Sequence, residues 1–135
     1  MQILKFFPLV LSGFISGIII YQSLLIAPSI NKLLSSQDAS LYLRFIWPKF
    51  FISIGVLSLL CFVCISLFNS NQSTAKIFSI LSTVLMLICY LAIPSMNQAK
   101  DSLNESLFMF LHLGSIILTI ITLLLNFSIF IFWKY

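Results

Sequence analysis

Apolar residues run along this chain in four long blocks, separated by short stretches where Ser, Asn, Gln, Lys and Pro collect. Blocks of this length match the roughly 20 residues a helix needs to cross a hydrocarbon core about 30 Å thick. Within lipid the backbone finds no water, so the block takes a form that satisfies its own N–H and C=O groups, which is a helix. The pattern predicts an all-α fold, an integral membrane bundle of four transmembrane helices. The spans fall at about 4–27, 48–68, 75–93 and 106–132 of a single transmembrane domain covering residues 1–135.

The connections carry their own signals. Pro28 closes the first span. Asp38 is placed to cap a helix beginning at Ala39, because its carboxylate can accept orphan N–H groups. That helical extension, 39–47, has an apolar face of Leu41, Tyr42, Phe45 and Ile46, with Arg44 pointing elsewhere. It runs into the second span, kinked at Pro48, which has no N–H for the carbonyl of Arg44. At 1.5 Å per residue the whole helix is about 45 Å long, so its first turns leave the hydrocarbon core. The polar run NSNQST, Asn69 to Thr74, makes the next turn, and Pro94 stops the third span. Ser102 and Glu105 fit the S-x-x-E capping box that starts the fourth near Leu103. Trp133, Lys134 and Tyr135 then read as an interfacial anchor.

A polar line breaks the apolar pattern of the fourth span. His112, Ser115, Thr119, Thr122 and Asn126 recur at intervals of three and four, which keeps them on one narrow stripe of a helix. Unpaired polar groups are costly in lipid, so the stripe faces protein or a cavity. His112 lies about two and a half turns into the helix, somewhat inside the hydrocarbon boundary. It is the only histidine, and an ionisable side chain at such a depth points to ligand contact or proton handling. Asn126 falls toward the opposite face, so the binding end is the His112 end and the rest of the stripe is packing.

Composition strengthens the membrane reading. Only 7% of the residues are charged against 61% hydrophobic, whereas a soluble domain carries about 25% charged residues to cover its surface. The net charge of +4 comes from seven scattered basic residues with no run among them, so nucleic acid is not a partner. These residues flank the spans as headgroup anchors, and the lipid bilayer is the partner they imply. Their distribution sets no orientation: Lys5, Lys76 and Lys134 stand on one side, and Lys32, Arg44, Lys49 and Lys100 on the other. The first apolar run extends from near Lys5 to Ala27, beyond a signal-peptide core of about 7–15 residues, and reads as a retained span.

Several smaller features carry candidate chemistry. Gly13 and Gly17 form a GxxxG pair that lets a neighbouring backbone approach, either within the bundle or in a homo-oligomer. Arg44 and Pro48 with Phe45, Trp47, Phe50 and Phe51 form an aromatic, basic patch. Its arginine either snorkels to phosphate or binds an anionic ligand. Cys61 and Cys64 make a C-x-x-C, but apolar surroundings disfavour a thiolate, and such cysteines behave as small hydrophobes. Three cysteines inside spans give no disulfide scaffold. No ligand-rich metal motif, Walker loop, G-x-S-x-G or dinucleotide pattern occurs. The sequence therefore calls for no cofactor and no metal, and points away from an enzyme.

Four short stretches resemble the transmembrane protein 205-like family, in particular its short bacterial members of unknown function. They are IAPSINKLL (Ile26 to Leu34), RFIWPKFF (Arg44 to Phe51), IPSMNQ (Ile93 to Gln98) and FMFLHLGS (Phe108 to Ser115). The resemblance covers nearly the whole chain and implies a four-helix membrane domain in a bacterial inner membrane. Pro28, Arg44, Pro48, Pro94, His112 and Ser115 would occupy the family's recurring positions. Trp47 departs from it, standing where the family more often has phenylalanine, and the Cys61–Cys64 pair is not a family feature. Larger eukaryotic relatives are associated with drug resistance and secretion, which favours transport. The expected function is small-solute binding or transport, or support of a membrane assembly, with His112, Ser115, Thr119 and Arg44 as the candidate ligand-binding residues. The alternative is a membrane redox or metal-binding protein using Cys61, Cys64 and His112.

Overall fold

The computed structural model describes residues 2–134. Helix α1 (Gln2–Tyr21) passes through one π-helical turn (Gln22–Ile26) into α2 (Ala27–Leu33). Helices α3 (Ser36–Phe68), α4 (Ser73–Asp101) and α5 (Glu105–Ile131) follow. The α1–π–α2 rod and the three helices after it are each long and apolar enough to span a membrane, so the molecule is a bundle of four membrane helices. Helices α1 and α4 each pack against both α3 and α5, giving a square in which neighbours in sequence are neighbours in space.

The bundle turns its polar residues inward. On α5 the buried positions are Ser115, Thr119, Thr122, Asn126 and Ile129, while Leu113, Ile117, Ile120, Leu124 and Phe127 face outward. A soluble helix shows the reverse. In lipid an apolar side chain gains little by turning from the solvent to the protein, so close packing and hydrogen bonds between small and polar residues hold the helices together. Two apolar layers complete the core. One contains Ile15, Ile19, Phe50, Phe51, Ile54 and Met86, and the other Leu11, Cys61, Ile65, Ala75, Ile129 and Trp133.

The second layer lies under a closed end. Asn69 Nδ2 donates to the Lys5 carbonyl (3.1 Å), and Gln72 Nε2 donates to that of Lys134 (2.6 Å). The Lys134 N–H donates back to Gln72 Oε1 (3.1 Å). The polar α3–α4 turn thus ties both ends of the chain to itself.

Several local expectations are corrected. Pro28 does not close the first helix. Lacking an N–H, it cannot bond the carbonyl of Leu24, and the backbone shifts to π bonding, with the Ala27 N–H donating to the Gln22 carbonyl. The rod then continues to Leu33. Pro94 is likewise absorbed inside α4, which runs on to Asp101. The cap of α3 is Ser35, whose Oγ accepts from the Asp38 N–H (3.1 Å) and donates to the Asp38 carboxylate (2.6 Å). Asn104 caps α5, its Oδ1 accepting from the Leu107 N–H (3.1 Å), while Ser102 turns its hydroxyl back to the Gln98 carbonyl. Leu103 sits between them at φ 56°, a left-handed turn residue that separates the two helices. Trp133 is buried in the core, and Tyr135 of the expected anchor lies outside the described residues.

Candidate functional site

At the opposite end the rods part. Below the π-turn, α2 touches only the π-turn and α3, and no longer meets α5, among the described residues. A cavity of about 340 Å³ opens there, with walls from all four rods. Pockets for small organic ligands run from about 300 to 1,000 Å³, so the space is of ligand size. A second, more superficial recess of about 370 Å³ adjoins it and includes Asn31, Ser36, Ser40 and Lys100. Leu43, Arg44, Trp47, Met96, Asn97 and His112 line both, and so form the neck between them.

His112, Ser115, Thr119 and Arg44 all line the 340 Å³ cavity. Their chemical freedom differs. Ser115 donates its hydroxyl to the Leu111 carbonyl (3.0 Å) and Thr119 donates to that of Ser115 (2.8 Å). Both oxygens can therefore accept a bond from a ligand while their protons stay in the helix. His112 lies parallel to the Phe108 ring at 5.6 Å between centroids. Lys100 Nζ sits 4.8 Å from the centroid of that same Phe108 ring, so a cation and an imidazole share one aromatic support.

Arg44 lines the cavity, on the side of α3 away from Leu41, Tyr42 and Phe45, which face outward. The reason is a partner on another helix. Arg44 grips Asp101 with both terminal nitrogens, Nη1 reaching Oδ2 at 3.1 Å and Nη2 reaching Oδ1. Its guanidinium fork is thus already occupied by a carboxylate, and the pair ties α3 to the end of α4 beside the neck. Asp101, at the aqueous end of α4 beyond the apolar stretch 75–93, has its carboxyl held below the ordinary range by the Arg44 hydrogen bonds.

The aromatic patch divides. Phe45 turns outward beneath Lys49 Nζ, 3.0 Å from its ring centroid. Trp47, Phe50 and Phe51 turn inward as a wall of the cavity, with Trp47 stacked on Phe51 at 5.4 Å and 19° and edge-on to Phe50 at 5.8 Å.

The far half of the stripe has a different use. Ser12 Oγ donates to the Asn126 carbonyl (2.8 Å) and lies 3.1 Å from its Oδ1. Asn126 Nδ2 donates to Ser82 Oγ (3.3 Å) and to the Thr122 carbonyl (2.9 Å). Asn126 thereby joins α5 to both α1 and α4.

Cys61 and Cys64 do not share a site with His112. Cys61 is fully buried, its Sγ donating to the Pro8 carbonyl and accepting from Ser79 Oγ, both at 3.5 Å. It lies 14 residues along α3 from Trp47, about 21 Å at 1.5 Å per residue. Among the described residues no three of His, Cys, Asp and Glu gather as a metal site. Gly13 and Gly17 both lie on the outer surface of α1. A Cβ at Gly13 would meet the Phe130 ring at 3.4 Å, and one at Gly17 would meet nothing within 4 Å.

Gln22, Met96 and Asn97 line the cavity without having been site candidates in the sequence. Gln22, only 8% exposed, lines the cavity from the π-turn. Its signal was present, a polar side chain within an apolar run. Asn97 and Met96 come from beyond Pro94, a stretch read as connection and found to be helix. Comparison of the chain with family models, curated proteins and solved structures gave no match.

Proposed function

We propose that this integral membrane protein binds a small solute in the cavity at the His112 end, as a carrier or sensor in a bacterial inner membrane. The observation that carries this reading is the convergence of four rods on one ligand-sized space. Into it project a titratable ring, two hydroxyl acceptors and an aromatic wall, in a bundle whose other end is tied shut. Small-molecule sites have this composition: mostly apolar walls with a few placed polar groups. The resemblance to the transmembrane protein 205-like family supports the same reading, because four of its recurring positions fall here or at the turn that opens the cavity: Arg44, His112, Ser115 and Pro28. Support of a larger membrane assembly would need no such space. The redox alternative loses ground with the separation of Cys61 from His112.

Native mass measurement after gentle detergent extraction tests the reading. Thr119→Phe places a ring inside the cavity without touching the Asn126 network. Wild-type protein is expected to carry a small non-covalent adduct that the variant, melting at a similar temperature, has lost. Bare protein in both preparations, or equal adduct in both, would contradict it.

A further inference from the structure

Two buried side-chain polar atoms have no hydrogen-bond partner among the described residues, Gln22 Nε2 and Ser58 Oγ. Only Gln22 lines the cavity. A buried amide left without a partner is destabilising because its desolvation is not repaid, and a hydrocarbon setting supplies no water to lessen it. Gln22 is placed there by the π-turn, and single π-turns in α-helices recur at functional sites. By its register along α1 and α5 the amide stands near the depth of Ser115, across the cavity from the His112 helix.

The rest of the lining selects among ligands. Among the described residues Arg44 is the only charged one in the wall of this cavity, and Asp101 already holds it. An anionic head would therefore find no free cation inside, and would have to be desolvated to enter. What the interior offers is the Gln22 amide, the His112 imidazole, the Ser115 and Thr119 hydroxyls, and an aromatic wall in which Trp47 and Phe51 lie nearly parallel with Phe50 edge-on. The wall and the amide suit an uncharged, planar, π-bearing group with acceptor oxygens. The access route agrees. Ile20, Ser23 and Leu24 on one rod, and Ile116 and Ile120 on α5, both line the cavity and are exposed on the outside of the bundle. They frame a lateral opening where α2 has parted from α5.

Resting on the cavity reading above, we infer that the ligand is a lipid-soluble quinone that enters from the bilayer, one carbonyl accepting from Gln22 Nε2 and the ring lying against the Trp47 wall. His112, Ser115 and Thr119 face it from α5. The charged groups around His112 are Lys100, which also lies against Phe108, and the Arg44–Asp101 pair at the neck.

Trp47 provides the readout. In a Trp133→Phe background, Trp47 emission is titrated with a decyl-substituted benzoquinone in micelles. Three comparisons accompany it: a decyl dimethoxybenzene lacking both carbonyls, a saturated fatty acid of similar length as competitor, and Gln22→Leu. Saturable quenching is expected, with the affinity falling about tenfold on loss of either the carbonyls or the Gln22 amide, the worth of one buried hydrogen bond. Tryptophan 133 alone, in a Trp47→Phe protein, should quench only linearly with added quinone. The carbonyl-free comparison uses unaltered Gln22, so it decides the matter even where Gln22→Leu fails to fold. Quinone binding that ignores both changes would overturn the role of Gln22 and leave the cavity reading standing. Release of the native adduct by the fatty acid, with no quinone saturation, would overturn the ligand class alone. A protein that binds neither probe and carries no adduct would overturn both readings.

Discussion

At the scale of the residue, the polar stripe of α5 divides by the partners each member finds. The Asn126 side chain bonds Ser82 on α4 and lies against Ser12 on α1, whose hydroxyl also donates to the Asn126 backbone carbonyl. Removing the side chain therefore strands the Ser82 hydroxyl and keeps the shorter tie to α1. Asn126→Leu is expected to lower bundle stability by about 1–2 kcal/mol, the range of interhelical hydrogen bonds in membranes. His112 is held by stacking on Phe108 and faces open space, so His112→Ala should leave the unfolding midpoint in detergent nearly unchanged while reducing ligand retention. Equal destabilisation by both substitutions would show that His112 is packing as well. The stripe itself was legible from its three-and-four spacing. Its division into a binding end at His112 and a packing remainder was also read there, but the partners of Asn126 were not, because Ser12 and Ser82 look like ordinary small residues until the helices are side by side. Gln22 was legible as a misplaced polar residue, but its aim depends on a π-turn that no periodicity announces.

At the scale of the element, the prolines mark the largest gap between pattern and structure. Pro28 and Pro94 read as stops, since a proline cannot supply the i−4 hydrogen bond. Each is instead carried within a continuous rod, and in lipid that is the less costly choice, because ending a helix leaves several backbone groups unbonded. The extra length of α4 brings Met96, Asn97 and Lys100 to the cavity mouth and carries Asp101 to Arg44. That ion pair is a tie between elements with a defined pH dependence. The folded carboxyl of Asp101 lies below its unfolded value, so the pair's contribution is present above the ordinary carboxylate range and is lost as pH falls through the lowered value. Both groups are substantially exposed, which keeps the contribution small. Melting curves of wild type and Asp101→Asn in detergent should differ modestly at neutral pH and converge in acid. A gap unchanged by pH would mean the carboxylate charge is not what joins α3 to α4.

At the scale of the whole molecule, the bundle is asymmetric along its axis. One end is sealed by Asn69 and Gln72, which hold the backbone near both termini, over a layer containing Cys61 and Trp133. At the other end the first rod loses its contact with α5 beyond the π-turn, and a space lined by all four rods remains. The four-span architecture followed directly from hydrophobic block length. The asymmetry did not, because it rests on which rods stay in contact along their whole length. It is also what makes a binding site possible, and accessibility labelling tests it most directly. In a protein whose Cys61, Cys64 and Cys89 are replaced by alanine, single cysteines at Ser115 and Ser82 are exposed to a small membrane-permeant maleimide. Rapid labelling at position 115, suppressed by Thr119→Phe, with position 82 protected throughout, is the result expected of a bundle open at the His112 end and closed elsewhere. Equal labelling at the two positions, or labelling at 115 that Thr119→Phe does not slow, would contradict it.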